Sequence, residues 1–317
     1  MSTQNKQLAF VFPGQGSQSV GMMTEMAETY PDIKDTFAQA SEVLGLDLWA
    51  MVTDGPAEEL NQTQHTQPAM LAAGVAIWKV WSAQSDIRPA YMAGHSLGEY
   101  TALVCSGALN FADAIALVAA RGRFMQEAVP AGVGAMAAVL GLTDEQVIQV
   151  CAEAAQGEVC SAVNFNSPGQ VVIAGNTAAI GRAMLAAKEA GAKRALKLPV
   201  SVPSHCALMQ PAADKLYTKM QDILFVEPDV NLLHNADVSE HKDAEGIRQA
   251  LKQQLFMPVR WVDTVNSMAE QGVTTFVEMG PGKVLMGLNK RIVKALDHFT
   301  VYNPDTLNSL LERYSND

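Results

Sequence analysis

Strand-length apolar runs alternating with helix-length ones govern what this chain can become. Over residues 1–130 the order is LAFVF at 8–12, TQPAMLAAGVAIWKVWSAQ at 66–84, PAYMAG at 89–94 and FADAIALVAARGRFMQEA at 111–128. This alternation is the pattern of an α/β core with a mostly parallel sheet, because a helix packed on the sheet makes each parallel crossover. From residue 131 the order becomes β-α-β-β-α-β. It runs GAMAAVLG, a helix over 143–155 opening on the capping pattern TDEQ, VCSAVNFN, a turn SPG, QVVIAG, a helix over 177–190, and RALKLPV. That order is ferredoxin-like, and about 70 residues suffice for such a subdomain. After 200 the α/β pattern resumes, with a helix near 207–222, helices around 245–271, the strand TTFVEM and a closing helix after GPGKVL. The expected architecture is one α/β domain, residues 1–130 and 200–317, interrupted by a subdomain at 131–199.

Composition narrows the function classes. In 317 residues, 49% hydrophobic content is enough to bury a sizeable core. A net charge of −11 argues against nucleic acid as the main partner, since phosphate neutralisation needs concentrated Lys and Arg. Cys105, Cys151, Cys160 and Cys206 form no CxxC pair and match no zinc spacing, which fits free thiols in a reducing compartment. A single Lys precedes a short apolar run at the amino terminus, and no apolar stretch reaches membrane-spanning length. The expectation is a soluble cytoplasmic protein with no membrane partner.

Two glycine-rich turns carry the chemical signal. After LAFVF the chain reads PGQGSQ, which fails both phosphate-loop patterns: Ser19 stands where GxGxxG needs its third glycine, and Met22–Met23 stand where a Walker loop needs Lys and Ser/Thr. A strand ending in such a turn can present backbone N–H groups to a small anion, as an oxyanion site does; it can equally be an ordinary strand-to-helix turn. GHSLG at 94–98 lies between the strand PAYMA and the helical run EYTALVCSGAL, the context a nucleophile elbow requires. Ser96 is the candidate nucleophile, with helix N–H groups beginning at Leu97 able to stabilise developing negative charge. A serine hydroxyl needs a base. His95 adjoins the nucleophile and should point away from it; His65, His234, His241 and His298 carry no local signal. His205 follows LPVSVPS, where Pro203 stops a strand and Ser204 can cap the next helix, so it should project from a strand's carboxyl end. Capping or packing is the competing role for that histidine.

On a helical wheel of residues 111–128, Ala114, Leu117, Val118, Arg121, Phe124 and Met125 share one face, with Asp113, Ala116, Ala120, Arg123 and Glu127 opposite. Arg121 therefore belongs among core side chains, where a guanidinium is costly unless paired. It should meet either one of the chain's own acids or a bound carboxylate, which its planar fork suits.

Seven blocks, FVFPGQGSQ, TQPAM, GHSLGEY, RGRFM, NFNSPGQVVIAG, PVSVPSHC and EMGPGKVL, resemble in sequence and order those of malonyl-CoA:acyl carrier protein transacylases of bacterial fatty acid synthesis, over essentially the whole chain. The resemblance implies a hydrolase-like α/β core with a ferredoxin-like insert, no metal or bound cofactor, and malonyl-CoA and acyl carrier protein as partners. It implies that Ser96 is acylated, that His205 is its base, and that a main-chain carbonyl near Gln254 orients that base in place of a triad acid. It implies further that the N–H groups of Gln15 and Leu97 form the oxyanion hole and that Arg121 grips the free malonyl carboxylate. Carrier proteins of this type are acidic, as this chain is, so docking is expected to use local basic groups: Lys188, Lys193, Arg194 and Lys197 on the insert, with Lys283, Lys290 and Arg291.

Overall fold

The structure, a computed structural model, describes residues 3–200 and 202–314. Among the described residues nine strands form two sheets. β1 (Thr3–Phe12), β2 (Ile87–Gly94), β7 (Asn231–Leu233), β8 (Thr275–Met279) and β9 (Asp297–Val301) pair in the order β7-β2-β1-β8-β9, parallel throughout. β3 (Gly134–Leu140), β4 (Cys160–Ser167), β5 (Gln170–Asn176) and β6 (Arg194–Lys197) form a second, antiparallel sheet in the order β4-β5-β3-β6, the ferredoxin-like arrangement.

The parallel sheet is buried on both faces, which is why its strands are continuous apolar runs: Leu8 to Phe12 are all fully buried. One face packs on the long helices Thr63–Gln84 and Phe111–Ala128; the other carries Trp261, Val265 and Met268 of the helix Trp261–Glu270. The antiparallel sheet has a core of its own, formed with the helices Asp144–Ala155 and Thr177–Glu189. The first of these opens on the TDEQ capping box, with Thr143 accepting from Gln146 N–H and Gln146 accepting from Thr143 N–H. The opposite face of this sheet, through Met136, Val163, Val172 and Ala174, packs towards Cys206, beside the site. A backbone ladder joins the two units, with Phe165 N–H on the Val259 carbonyl at 3.0 Å and Val259 N–H on that of Val163 at 2.8 Å.

Several expectations require correction. RALKLPV is strand only to Lys197; Leu198 makes one more ladder bond to Met136 before Pro199 ends the pairing. Ser201, in the PVSVPSHC block, lies outside the described residues. Ser204 caps no helix: a 3₁₀ turn, Ala207–Met209, begins after Cys206, and the α-helix is Gln210–Met220. The helix Val284–Ile292 does not close the described chain, since β9 and the helix Pro304–Tyr314 follow. β7, only three residues long, was not foreseen. Ala120, placed on the exposed face of its helix, is buried, because that helix packs against neighbours on more than one side.

Candidate active site

Two turns at the carboxyl edge of adjacent strands meet, as open α/β sheets favour. β1 ends in Pro13-Gly14-Gln15 and β2 in Gly94-His95-Ser96. A side chain on Gly94 would put its Cβ 1.8 Å from the Gly98 carbonyl carbon, and one on Gly98 would fall 2.0 Å from the Phe12 oxygen. A Cβ on Gly14 would lie 2.5 Å from the His95 oxygen and 3.7 Å from Leu97 N. These glycines let the first turn close on the second, bringing Gln15 and Leu97 to one pocket wall. Ser96 adopts φ 51°, the left-handed conformation of a nucleophile elbow, and its hydroxyl sits just before the helix Gly98–Cys105.

His205 is buried, and its Nε2 lies 2.8 Å from Ser96 Oγ. Its Nδ1 is 2.6 Å from the main-chain carbonyl of Gln254. A carbonyl only accepts, so Nδ1 carries the proton and Nε2 is left to accept from the serine. The expected placement at a strand end is corrected: His205 rides on the loop after β6, at φ 64°, tied by its own N–H to the Leu255 carbonyl at 3.0 Å. Burial first, then the charge of Arg121, pushes its pKa down to about 3.

Arg121 is 1% exposed. Its Nη1 donates to Gln67 Oε1 at 2.8 Å; its Nη2 donates to Gln254 Oε1 at 3.0 Å and to Ser96 Oγ at 3.2 Å. Its guanidinium also stands over the Tyr100 ring, 5.4 Å from the centroid. These hydrogen-bond partners are amide and hydroxyl oxygens rather than a carboxylate, and Nε has no partner. A desolvated cation with no directly bonded acid, its nearest buried carboxylate Glu99 standing behind Gln254, thus lines the cavity beside the serine.

That cavity, about 300 Å³, is walled by residues of both units: Ser96, His205, Arg121 and Met125 from turns and a helix around the parallel sheet, Met136 and Val172 from the antiparallel sheet. His95, as expected, turns from the serine hydroxyl; its Nε2 donates to Asn166 Oδ1 at 2.8 Å, and burial lowers its pKa. Four partners escaped the sequence reading: Gln67, Glu99, His234 and Asn235. Glu99, fully buried in the first turn of Gly98–Cys105, accepts from Gln254 Nε2 at 3.0 Å, Asn235 N–H at 2.9 Å and His234 Nδ1 at 2.7 Å. A single acid in the apolar run EYTALVC was the available signal for it; His234, read as featureless, offered none. Among the described residues no cluster of His, Cys, Asp and Glu has metal-binding geometry, and no helix is long and apolar enough to cross a membrane.

A model of the acyl transferase domain matches residues 9–303. The malonyl CoA-acyl carrier protein transacylase of Salmonella typhimurium is 59% identical over 305 residues, covering 96% of this chain and 99% of that protein. The chain belongs to the malonyl CoA-acyl carrier protein transacylase family. Among solved members of that family, an acyl carrier protein S-malonyltransferase from Vibrio cholerae has a TM-score of 0.94 at 58% identity, covering 96% of this chain and 99% of that one. A malonyl-transacylase in complex with its type II PKS acyl-carrier protein has a TM-score of 0.96 at 55% identity, covering 97% and 99%.

Proposed function

We propose that this transacylase moves the malonyl group from malonyl-CoA to the phosphopantetheine thiol of acyl carrier protein through an ester on Ser96, in fatty acid synthesis. The observation that carries the reading is that one hydroxyl, Ser96 Oγ, faces both a neutral imidazole nitrogen and a buried arginine lacking an acid partner. A nucleophile–base pair alone fits any serine acyl transfer. The arginine adds a preference for an acyl group ending in a carboxylate.

In this reading the Ser96 proton passes to His205 Nε2 as Oγ attacks the thioester carbonyl. The resulting oxyanion is held by the N–H groups of Gln15 and Leu97. Ser96 N–H is engaged elsewhere, on Asn235 Oδ1 at 2.7 Å. Collapse breaks the C–S bond, and His205 returns the proton to the departing thiolate. The carrier thiol then attacks the ester by the reverse route, giving ping-pong kinetics. The Gln254 carbonyl holds the imidazole in the required tautomer throughout. The chain divides, on this account, into a catalytic core of residues 1–130 and 200–317 and a subdomain of 131–199 that walls the cavity.

Carrier docking fits the basic rim. Arg291 donates to Gln170 Oε1 at 2.7 Å; Gln170 lines the cavity and stands in one row with Leu140 and Arg194 across β5, β3 and β6. The deciding experiment is intact mass after mixing with malonyl-CoA, followed by peptide mapping. Added mass of one malonyl group on the peptide spanning Ser96, removed by holo carrier protein, is the expected result. An unmodified protein overturns the reading.

A further inference from the structure

Ser96 is held in its left-handed conformation by backbone grips that come from distant segments. Its carbonyl accepts from Gln254 Nε2 at 2.8 Å, and its N–H donates to Asn235 Oδ1 at 2.7 Å. The same Asn235 side chain donates through Nδ2 to the Gly94 carbonyl, also at 2.7 Å. One amide therefore spans the elbow from Gly94 to Ser96, and only one orientation of it fits, because one elbow group is a donor and the other an acceptor. Asn235 is itself fully buried and fixed: its N–H donates to Glu99 Oε2, and its carbonyl accepts from Arg260 N–H at 3.1 Å. It does not touch the cavity.

We infer that Asn235 is a positioning residue for acyl transfer: by bridging Gly94 and Ser96 it sets the direction in which the serine hydroxyl points, and so its line to His205 Nε2. The inference rests on Ser96 being the acylated residue. The physical basis is that a non-glycine residue at positive φ stores strain that its surroundings must hold, while catalysis tolerates little displacement of a nucleophile. Asn235 has the polar groups required to hold both peptide groups around the turn. The bridge also leaves Ser96 N–H unavailable to an oxyanion, which restricts that role to the neighbouring amides.

The test uses the full chain and two variants, with single-turnover acylation by malonyl-CoA followed by intact mass. Asn235→Ala removes both bonds; acylation should slow about thirtyfold or more, with KM for malonyl-CoA within about twofold of the parent, because the Arg121 fork and cavity walls are untouched. Asn235→Asp supplies a readout that loss of stability does not produce. Protonated, the new carboxyl group can donate to Gly94 and accept from Ser96; ionised, it places a carboxylate oxygen against the Gly94 carbonyl. Glu99 from the elbow helix, His234 and His241 from the loop, and His205 and Arg121 beyond Ser96 are the titratable groups around it. The variant-to-parent acylation ratio should rise several-fold as pH falls from 8 to 5.5, measured well below both melting midpoints. A ratio independent of pH, or an alanine variant that folds and acylates within threefold of the parent, overturns the inference. If malonyl mass never appears on the parent Ser96, the functional reading fails instead, so the two failures are distinguishable.

Discussion

His205 Nδ1 donates to the main-chain carbonyl of Gln254 at 2.6 Å, so the imidazole is oriented by an uncharged group. A triad carboxylate would stabilise an imidazolium; a carbonyl does so less, and Arg121 opposes it. The base is consequently neutral at rest across the physiological range. In the proposed reaction, a malonyl carboxylate on Arg121 would offset the cation that depresses the basicity of His205, coupling substrate charge to proton transfer.

Arg121→Gln removes that cation. The acidic limb of the pH profile for acylation should move to higher pH, because the lowering contribution of Arg121 to His205 disappears while that of burial stays. An unmoved limb in kcat/KM profiles of parent and variant would separate the two residues electrostatically.

Arg121→Ala should lose malonyl transfer by about a hundredfold or more while the ratio of acetyl to malonyl transfer rises, since the lost hydrogen bonds to a carboxylate served only the diacid. Parallel kcat/KM values for the two thioesters check this. An unchanged ratio removes Arg121 from substrate selection.

Stability should fall on acidification. His205 has a folded-state pKa of about 3, below its unfolded value near 6.5, so between these values the unfolded chain binds one more proton than the native one. Its contribution is complete above about pH 6.5 and declines by about 1.4 kcal/mol per pH unit below it, towards pH 3. Denaturant titrations of the parent and His205→Ala should converge as pH drops.

Gly94→Ala and Gly98→Ala should each destabilise by about 3 kcal/mol or more, because the added carbon overlaps backbone atoms that cannot rotate away. Thermal unfolding measures it. A variant melting within two degrees of the parent would mean that the elbow can open.

Reversing charge at Lys193 and Arg194 should raise the KM for carrier protein about tenfold at low salt, with the effect fading as ionic strength rises. Both side chains are exposed, so the antiparallel sheet need not rearrange. Equal KM values for parent and variant would move the docking surface elsewhere.

The fold was legible where local pattern and tertiary environment agree. Phe111–Ala128 and Gln170–Asn176 were bounded closely because periodicity and turn residues mark both ends. β7 and β9 were not: β7 has only three residues, and β9, DHFTV, lacks the continuous apolar run that marks β8, so their strand character comes from pairing with β2 and β8. On Arg121 the residues alone left two partners open, a native acid or a bound carboxylate; among the described residues no acid hydrogen-bonds the fork, which meets the side-chain oxygens of Gln67, Gln254 and Ser96.

What the sequence determined alone is the order of the elbow: strand, small residues, Ser96 and helix are consecutive, and glycine at 94 and 98 leaves the room that so tight a turn needs. What the tertiary structure decided is everything brought to it across the chain. His205 is 109 positions from Ser96, Asn235 is 139, and the Gln254 amide is 158. No local pattern encodes such distances, because they arise when helices and loops from separate segments pack around the parallel sheet and leave these buried polar groups one another as partners.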